Sequence, residues 1–142
     1  MKTKLLIILF IFPFFLSAQV KTGADKIIGV YLTEIKYGKV EIYRKGNKYF
    51  GKIVWIKKPL DKNGKPLKDT NNPIQTLKKN PLLNLVTLSD LTYHNGEWSG
   101  GKIYDPKNGK TYDCTLWFEN GKLKLRGYVG WFYDTKTWTR VK

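Results

Sequence analysis

The chain has 142 residues, 42% hydrophobic and 15% aromatic, a formal net charge of +15 at pH 7, and one cysteine, Cys114. A lone cysteine excludes an internal disulfide, and with His94 as the one histidine it also excludes a Cys/His structural zinc site, so the fold must hold through its core. The basic balance does not read as nucleic-acid binding, because Arg44, Arg126 and Arg140 are the only arginines and the lysines are scattered; it reads as a solvated Lys-rich surface, or as weak attraction to anionic polymers or lipids.

Lys2 and Lys4 precede an apolar run from Leu5 to Leu16, followed by Ser17-Ala18-Gln19. That order describes a cleavable signal peptide over residues 1–18, with cleavage expected after Ala18. The run is shorter than the about 20 residues of a membrane span, and Pro13 interrupts it, which argues against an integral membrane anchor. Cleavage leaves residues 19–142, that is 142 − 18 = 124 residues carrying 15 − 2 = +13 charges. The expectation is one exported domain, periplasmic or extracellular, large enough to bury roughly two-thirds of its unfolded surface.

The first strand is expected over Val30-Tyr31-Leu32-Thr33. Lys39 to Lys45 and Lys48 to Ile56 form the next two, joined by Gly46-Asn47. That turn sets Lys45 opposite Lys48, Ile42 opposite Gly51 and Val40 opposite Ile53. One face then carries Val40, Ile42, Gly51, Ile53 and Trp55, and the other pairs Glu41 with Lys52. Between Lys57 and Pro81 lies a polar stretch too long for a hairpin loop. It holds a turn at Asp61-Lys62-Asn63-Gly64 and a short helix expected from Pro73 to Lys79, capped by Asn72, with Ile74 and Leu77 as its buried contacts. Its placement suggests a lid or plug at one end of a barrel.

The second half is punctuated by Asn95-Gly96, Asn108-Gly109 and Asn120-Gly121, each between runs of alternating polarity. Asn and Gly tolerate the positive φ of tight hairpin turns, so residues 85 to 142 read as an antiparallel meander. The Asn120-Gly121 turn pairs Glu119 with Lys122, Phe118 with Leu123, Leu116 with Leu125, Cys114 with Gly127 and Tyr112 with Val129; the apolar partners share one face, and Glu119, Lys122, Lys124 and Arg126 fall on the other. Trp117 falls outside beside Lys124. Ile103 and Asp105 join the face of Tyr112 and Cys114, with Cys114 between Ile103 and Gly127. Counted on to Asn95-Gly96, the alternation would put Asp90 inside and Leu91 outside. A bend at Gly100-Gly101 repairs that parity. Some eight antiparallel strands with one apolar face leave a closed barrel or a two-sheet sandwich, and the meander order favours the barrel.

Several segments resemble the bacterial family known as Domain of Unknown Function 2147. They are Gly29-Val30-Tyr31-Leu32-Thr33, Lys39-Val40-Glu41-Ile42-Tyr43, Gly51-Lys52-Ile53-Val54-Trp55, Pro81-Leu82-Leu83, Leu123 to Gly130, and Thr137-Trp138-Thr139-Arg140. The most specific is Trp98-Ser99-Gly100-Gly101-Lys102-Ile103-Tyr104-Asp105-Pro106, continuing through Gly109-Lys110-Thr111-Tyr112. The resemblance implies an exported, all-β, lipocalin-like (calycin-type) up-and-down barrel with one long loop and short helix inserted. It implies no catalytic residues and no cofactor. Where the family and lipocalins usually carry tryptophan in the first strand, this chain has Tyr31. By the resemblance, that ring closes the barrel floor against Arg140.

Among candidate sites, a nucleophilic triad would need Ser89 or Ser99 with His94 and Asp90 in one hairpin, and nothing marks a nucleophile elbow. Asp105 sits at the rim beside Tyr112, either facing a ligand head group or capping an Asp-Pro turn. Tyr49, Trp55, Tyr112, Phe118, Trp131 and Trp138 either line a cavity or fill the barrel. The favoured reading is a binding protein, not an enzyme. Its partner is a small apolar or amphipathic molecule, held by Tyr49, Trp55, Asp105 and Tyr112 and gated by residues 58 to 80. The alternative is a filled barrel whose surface, with Trp117 and Tyr104, meets an anionic envelope polymer, a lipid or a protein.

Overall fold

The computed structural model describes residues 23–142. The expected signal peptide and its cleavage point lie outside the described residues. After a short 3₁₀ turn (Gly23–Ile27) come β1 (Gly29–Leu32), β2 (Gly38–Lys45), β3 (Lys48–Ile56), β4 (Val86–His94), β5 (Glu97–Asp105), β6 (Lys110–Glu119), β7 (Lys122–Val129) and β8 (Phe132–Arg140). They follow one another around a closed barrel, which β1 and β8 complete by pairing Tyr31 with Arg140 and Leu32 with Thr139. Closure removes the exposed edges that a sandwich would have to protect.

The tight turns at Gly46-Asn47, Asn95-Gly96 and Asn120-Gly121 all fall at one end of the barrel, here called the floor. The remaining connections (33–37, 57–85, 106–109 and 130–131) fall at the other end, the mouth. The β2–β3 register follows the sequence expectation from Lys45↔Lys48 to Val40↔Ile53, and the outward Lys52 and Glu41 approach to 3.7 Å. The β6–β7 register does so from Glu119↔Lys122 to Cys114↔Gly127. Val40, Ile42, Leu88, Leu91, Trp98, Leu116, Leu123 and Leu125 form the buried core.

Trp55 departs from its expected face. A register shift between Lys39 and Val40 pairs Trp55 with Lys39 and Gly38 with Ile56. The extra residue reverses the alternation. Ile56 turns inward and is buried, while Trp55 lies outside with the Lys39 ammonium over its ring at 4.9 Å.

The bend at Gly100-Gly101 is present and is matched across the ladder. Leu88 and Leu91, three residues apart, are both fully buried, because Asp90 between them adopts φ +58°. Opposite, Gly100 has φ +74°, so Trp98 and Gly101 both face inward. Asp90 points out, 3.7 Å from the Lys48 ammonium. The β5–β6 turn is longer than Asn108-Gly109 alone: Asp105 pairs with Lys110, and Pro106 to Gly109 form the loop. This slides the register by two residues, so faces are kept but Gly101, not Ile103, lies opposite Cys114.

The long connection also differs from expectation. Its helix is a single 3₁₀ turn, Gln75–Leu77, and Ile74 and Leu77 stay exposed. Polar groups anchor it instead. Asp69, buried, accepts hydrogen bonds from Tyr104 Oη at 2.7 Å and Asn72 Nδ2 at 2.7 Å. Asn71 Nδ2 donates to the carbonyls of Pro106 and Lys107. Tyr104 alternates with the inward Ile103, so these anchors sit on the outer face of β5 and on the β5–β6 turn, rather than across the mouth.

Cys114 is buried against Gly101 and Gly127. Burial first, and the Asp113 charge second, push its thiol up to about 12. At pH 8 a thiol of that pKa is ionised to about one part in ten thousand, and the thiolate is the reactive form. A maleimide is therefore expected to leave the native protein unlabelled while modifying the urea-unfolded chain fully, as read by intact mass. Rapid native labelling would refute the buried placement.

Candidate functional site

The floor is closed by the 3₁₀ turn, which lies across it. Trp98 Nε1 donates to the Ala24 carbonyl at 3.0 Å, and Tyr49 Oη donates to Asp25 Oδ1 at 2.7 Å. Arg44 meets the same carboxylate at 3.2 Å. Tyr31 fills the place that the family resemblance assigns to a ring: its hydroxyl donates to the Ile27 carbonyl at 2.8 Å, and the Arg140 guanidinium lies 4.9 Å above it. Arg140 in turn donates to the Ile28 carbonyl at 2.7 Å and to the Lys26 carbonyl. Burial pushes the Tyr31 hydroxyl up to about 12, against the opposing charge of Arg140. Burial, then the Asp25 bond, does the same for Tyr49. Aromatic edges complete the seal, with Tyr49 and Phe118 meeting Trp98 at 83° and 84°.

The mouth has a different character. Most inward residues in the floor half are buried, Phe118 only partly, whereas toward the mouth Ile56 is buried but Ile53, Ile103, Tyr112 and Gly127 are only half-buried. The lower barrel is filled and the upper wall is open to solvent. Gly127 leaves a gap in that wall beside Tyr112, since a Cβ there would come no nearer than 3.9 Å to the Tyr112 Cβ.

Charge enters the mouth from β8. Leu125 and Lys136 pair across the ladder, as do Gly127 and Asp134 and Leu123 and Trp138. Since Leu123, Leu125 and Trp138 are buried in the core, Asp134 and Lys136 share the inward side, at its exposed rim. Lys136 Nζ is 2.8 Å from Asp134 Oδ2 and 3.8 Å from Glu34 Oε2. Glu34 is held from the β1–β2 connection by the Thr137 amide at 3.0 Å. The Asp134 bond holds the Lys136 ammonium above its ordinary pKa, and Lys136 draws Asp134 below the usual carboxylate range. Both stay charged near neutrality, offering a fixed cation and two carboxylates at the lip of an apolar wall.

The four residues expected to form one site are spread out. Tyr112 faces into the mouth opposite Ile103, and Asp105 is two residues along the same face, opposite Lys110. The Asp105 carboxylate accepts the Lys107 amide at 2.9 Å, the Asp-Pro turn arrangement. Tyr112 Oη accepts from Asn108 Nδ2 at 2.8 Å. Tyr49 lies at the floor, the far end of the barrel, and Trp55 is outside. Asp134, Lys136 and Glu34 are absent from the sequence reading. The alternation from Trp138 back through Lys136 to Asp134 carried the signal for two of them.

Two surface hollows accompany the barrel. One, about 370 Å³, lies at the floor between Ala24, Arg44, Tyr49 and Tyr93. The other, about 420 Å³, follows the long connection from Asn80 to Val86. The first is at the floor end and the second beside the connection at the mouth end; neither is lined by Ile53, Ile103 or Tyr112. Among the described residues, no three His, Cys, Asp or Glu side chains gather as metal ligands, and no helix is long and apolar enough to cross a membrane.

An eight-stranded up-and-down barrel, plugged at one end and open at the other, is lipocalin-like. The chain matches over residues 29–140 the family described as uncharacterized proteins conserved in bacteria, DUF2147, and belongs to it. A solved structure, described as protein HP1028 from the human pathogen Helicobacter pylori and as belonging to the lipocalin family, is 27% identical. The likeness covers 82% of this chain and 84% of that one, with a TM-score of 0.69. No curated protein matches.

Proposed function

We propose that this chain is an exported lipocalin-like carrier of a small apolar or amphipathic molecule in the cell envelope, a binding protein rather than an enzyme. The observation that carries this reading is the asymmetry of the inner wall, sealed and filled at the floor yet half-exposed around Ile53, Ile103 and Tyr112. In this reading an apolar tail rests on Ile103 and Tyr112, and a polar head group meets the Asp134–Lys136 pair, with Asp105 at the rim. Burial of the tail supplies about 25 cal/mol per Å², and the charged lip sets orientation.

The test is native mass spectrometry of the protein purified gently from its own envelope, compared with the same sample denatured. The expected result is a discrete added mass that disappears on denaturation. A bare protein mass from repeated gentle preparations would overturn the carrier reading.

A further inference from the structure

The three floor turns are built from Gly and Asn, residues chosen by turn geometry. The β7–β8 turn is not. Gly130 has φ +56° and supplies the positive dihedral at its first central position, so turn geometry does not restrict the second position to Gly or Asn. That second position is Trp131, expected among the rings inside the barrel but 98% exposed at the turn, flanked by Phe132 at 79% and Tyr133 at 61%. A side chain so exposed contributes almost nothing to the core, while an indole and a phenyl held in water form an apolar prominence that soluble surfaces seldom carry. Cations stand close to it: the Arg126 guanidinium lies 4.2 Å over the Tyr133 ring. At the same end, Lys107 lies 6.0 Å over Tyr37 and Lys39 lies 4.9 Å over Trp55.

We propose that the β7–β8 tip is a membrane-docking element that inserts Trp131 and Phe132 into the headgroup–acyl boundary of an anionic phospholipid surface. Three observations favour lipid over a protein partner. The apolar element is the tip of one hairpin, with Val129, Trp131, Phe132 and Tyr133 exposed around Gly130, and a bilayer can receive such a tip without a complementary pocket. Trp and Tyr with neighbouring Lys and Arg are the side chains that settle at a membrane–water boundary. The net charge, +15 for the whole chain and +13 for residues 19–142, complements anionic headgroups, each nearby cation adding to the attraction. The tip belongs to the mouth end, so docking would turn the open barrel toward the lipid. The inference stands whether or not the barrel carries a ligand.

The test is co-sedimentation of the purified protein with vesicles of phosphatidylethanolamine and phosphatidylglycerol, and with phosphatidylcholine vesicles. A Trp131→Ser/Phe132→Ser double variant is prepared in the same form. Native protein is expected to bind the anionic vesicles at least tenfold more tightly than either the double variant binds them or the native protein binds phosphatidylcholine. The variant's thermal midpoint should be unchanged, since both rings are exposed. Lipids brominated in the acyl chains should quench native fluorescence more than that of Trp131→Phe. Equal binding by native and double variant would overturn the proposal. So would failure of native protein to bind anionic vesicles, including the case where the tip instead seats a second copy of this chain and gives dimers.

Discussion

Replacing Trp98 by alanine is expected to destabilise the protein by about 3–5 kcal/mol, the range for deleting a buried aromatic. Domains of this kind are stable by only about 5–15 kcal/mol, so the variant should sit near the edge of folding. Trp98 is 1% exposed and is the hub of the floor. Tyr49, Tyr93 and Phe118 all pack on its ring, at centroid distances of 6.5, 4.9 and 5.8 Å. Its indole nitrogen also ties the 3₁₀ turn to the barrel at the Ala24 carbonyl. Truncation therefore opens a cavity and unlatches the plug together. Trp98→Phe separates the two effects. It keeps most of the packing and loses the hydrogen bond, for an expected cost of about 1 kcal/mol plus part of the lost volume. Urea titrations of the three proteins measure both. If Trp98→Ala lost no more than Trp98→Phe, the floor would not depend on this ring as the packing requires.

Much of this architecture is legible in the sequence, and the reason is local. Tight turns such as Gly46-Asn47 and Asn120-Gly121 pin register within a few residues. Because side chains alternate strictly, a pinned turn assigns every residue of its hairpin to a face. The bend at Gly100-Gly101 was readable for the same reason: without it, Leu91 would have to face water. What stayed hidden came from single extra residues with no compositional mark. Nothing in Lys39-Val40 announces the bulge that turns Trp55 outward. The four-residue turn at Pro106 to Gly109 moved Cys114 from Ile103 to Gly101 without changing its face. In the long connection, Ile74 and Leu77 have the spacing of buried contacts yet stay exposed. Asp69, an unremarkable acid in a polar run, is instead the residue that is buried. Its partner Tyr104 is 35 positions away. Glu34 reaches the mouth through the Thr137 amide, 103 positions distant. Contacts of that separation follow from barrel closure, which alternation alone does not reveal.

The glycines of β5 offer the sharpest test of that closure, because one of them has no room for a single methyl group. Gly101→Ala would set a Cβ 2.2 Å from the Ser89 carbonyl oxygen and 2.8 Å from the Leu91 amide nitrogen. Both are backbone atoms of β4, so no side chain can swing aside. The strands would have to part where Asp90 and Gly100 together reverse the alternation. Leu91, fully buried, would lose the turn that carries it inward. Overpacking of a core typically costs about 1–3 kcal/mol, and a clash between two backbones belongs at or above the top of that range. Gly121→Ala is the control. Gly121 also has positive φ, +74°, but a Cβ there meets nothing within 4 Å. Its expected cost is the about 1–2 kcal/mol of a left-handed L-residue alone. Urea midpoints should therefore rank native above Gly121→Ala above Gly101→Ala. Near-ultraviolet circular dichroism should show the Trp98 environment disturbed in the last variant only. Equal midpoints for the two variants would mean that β4 and β5 can separate freely at this point. The paired bulge would then be no constraint on which residues face the interior.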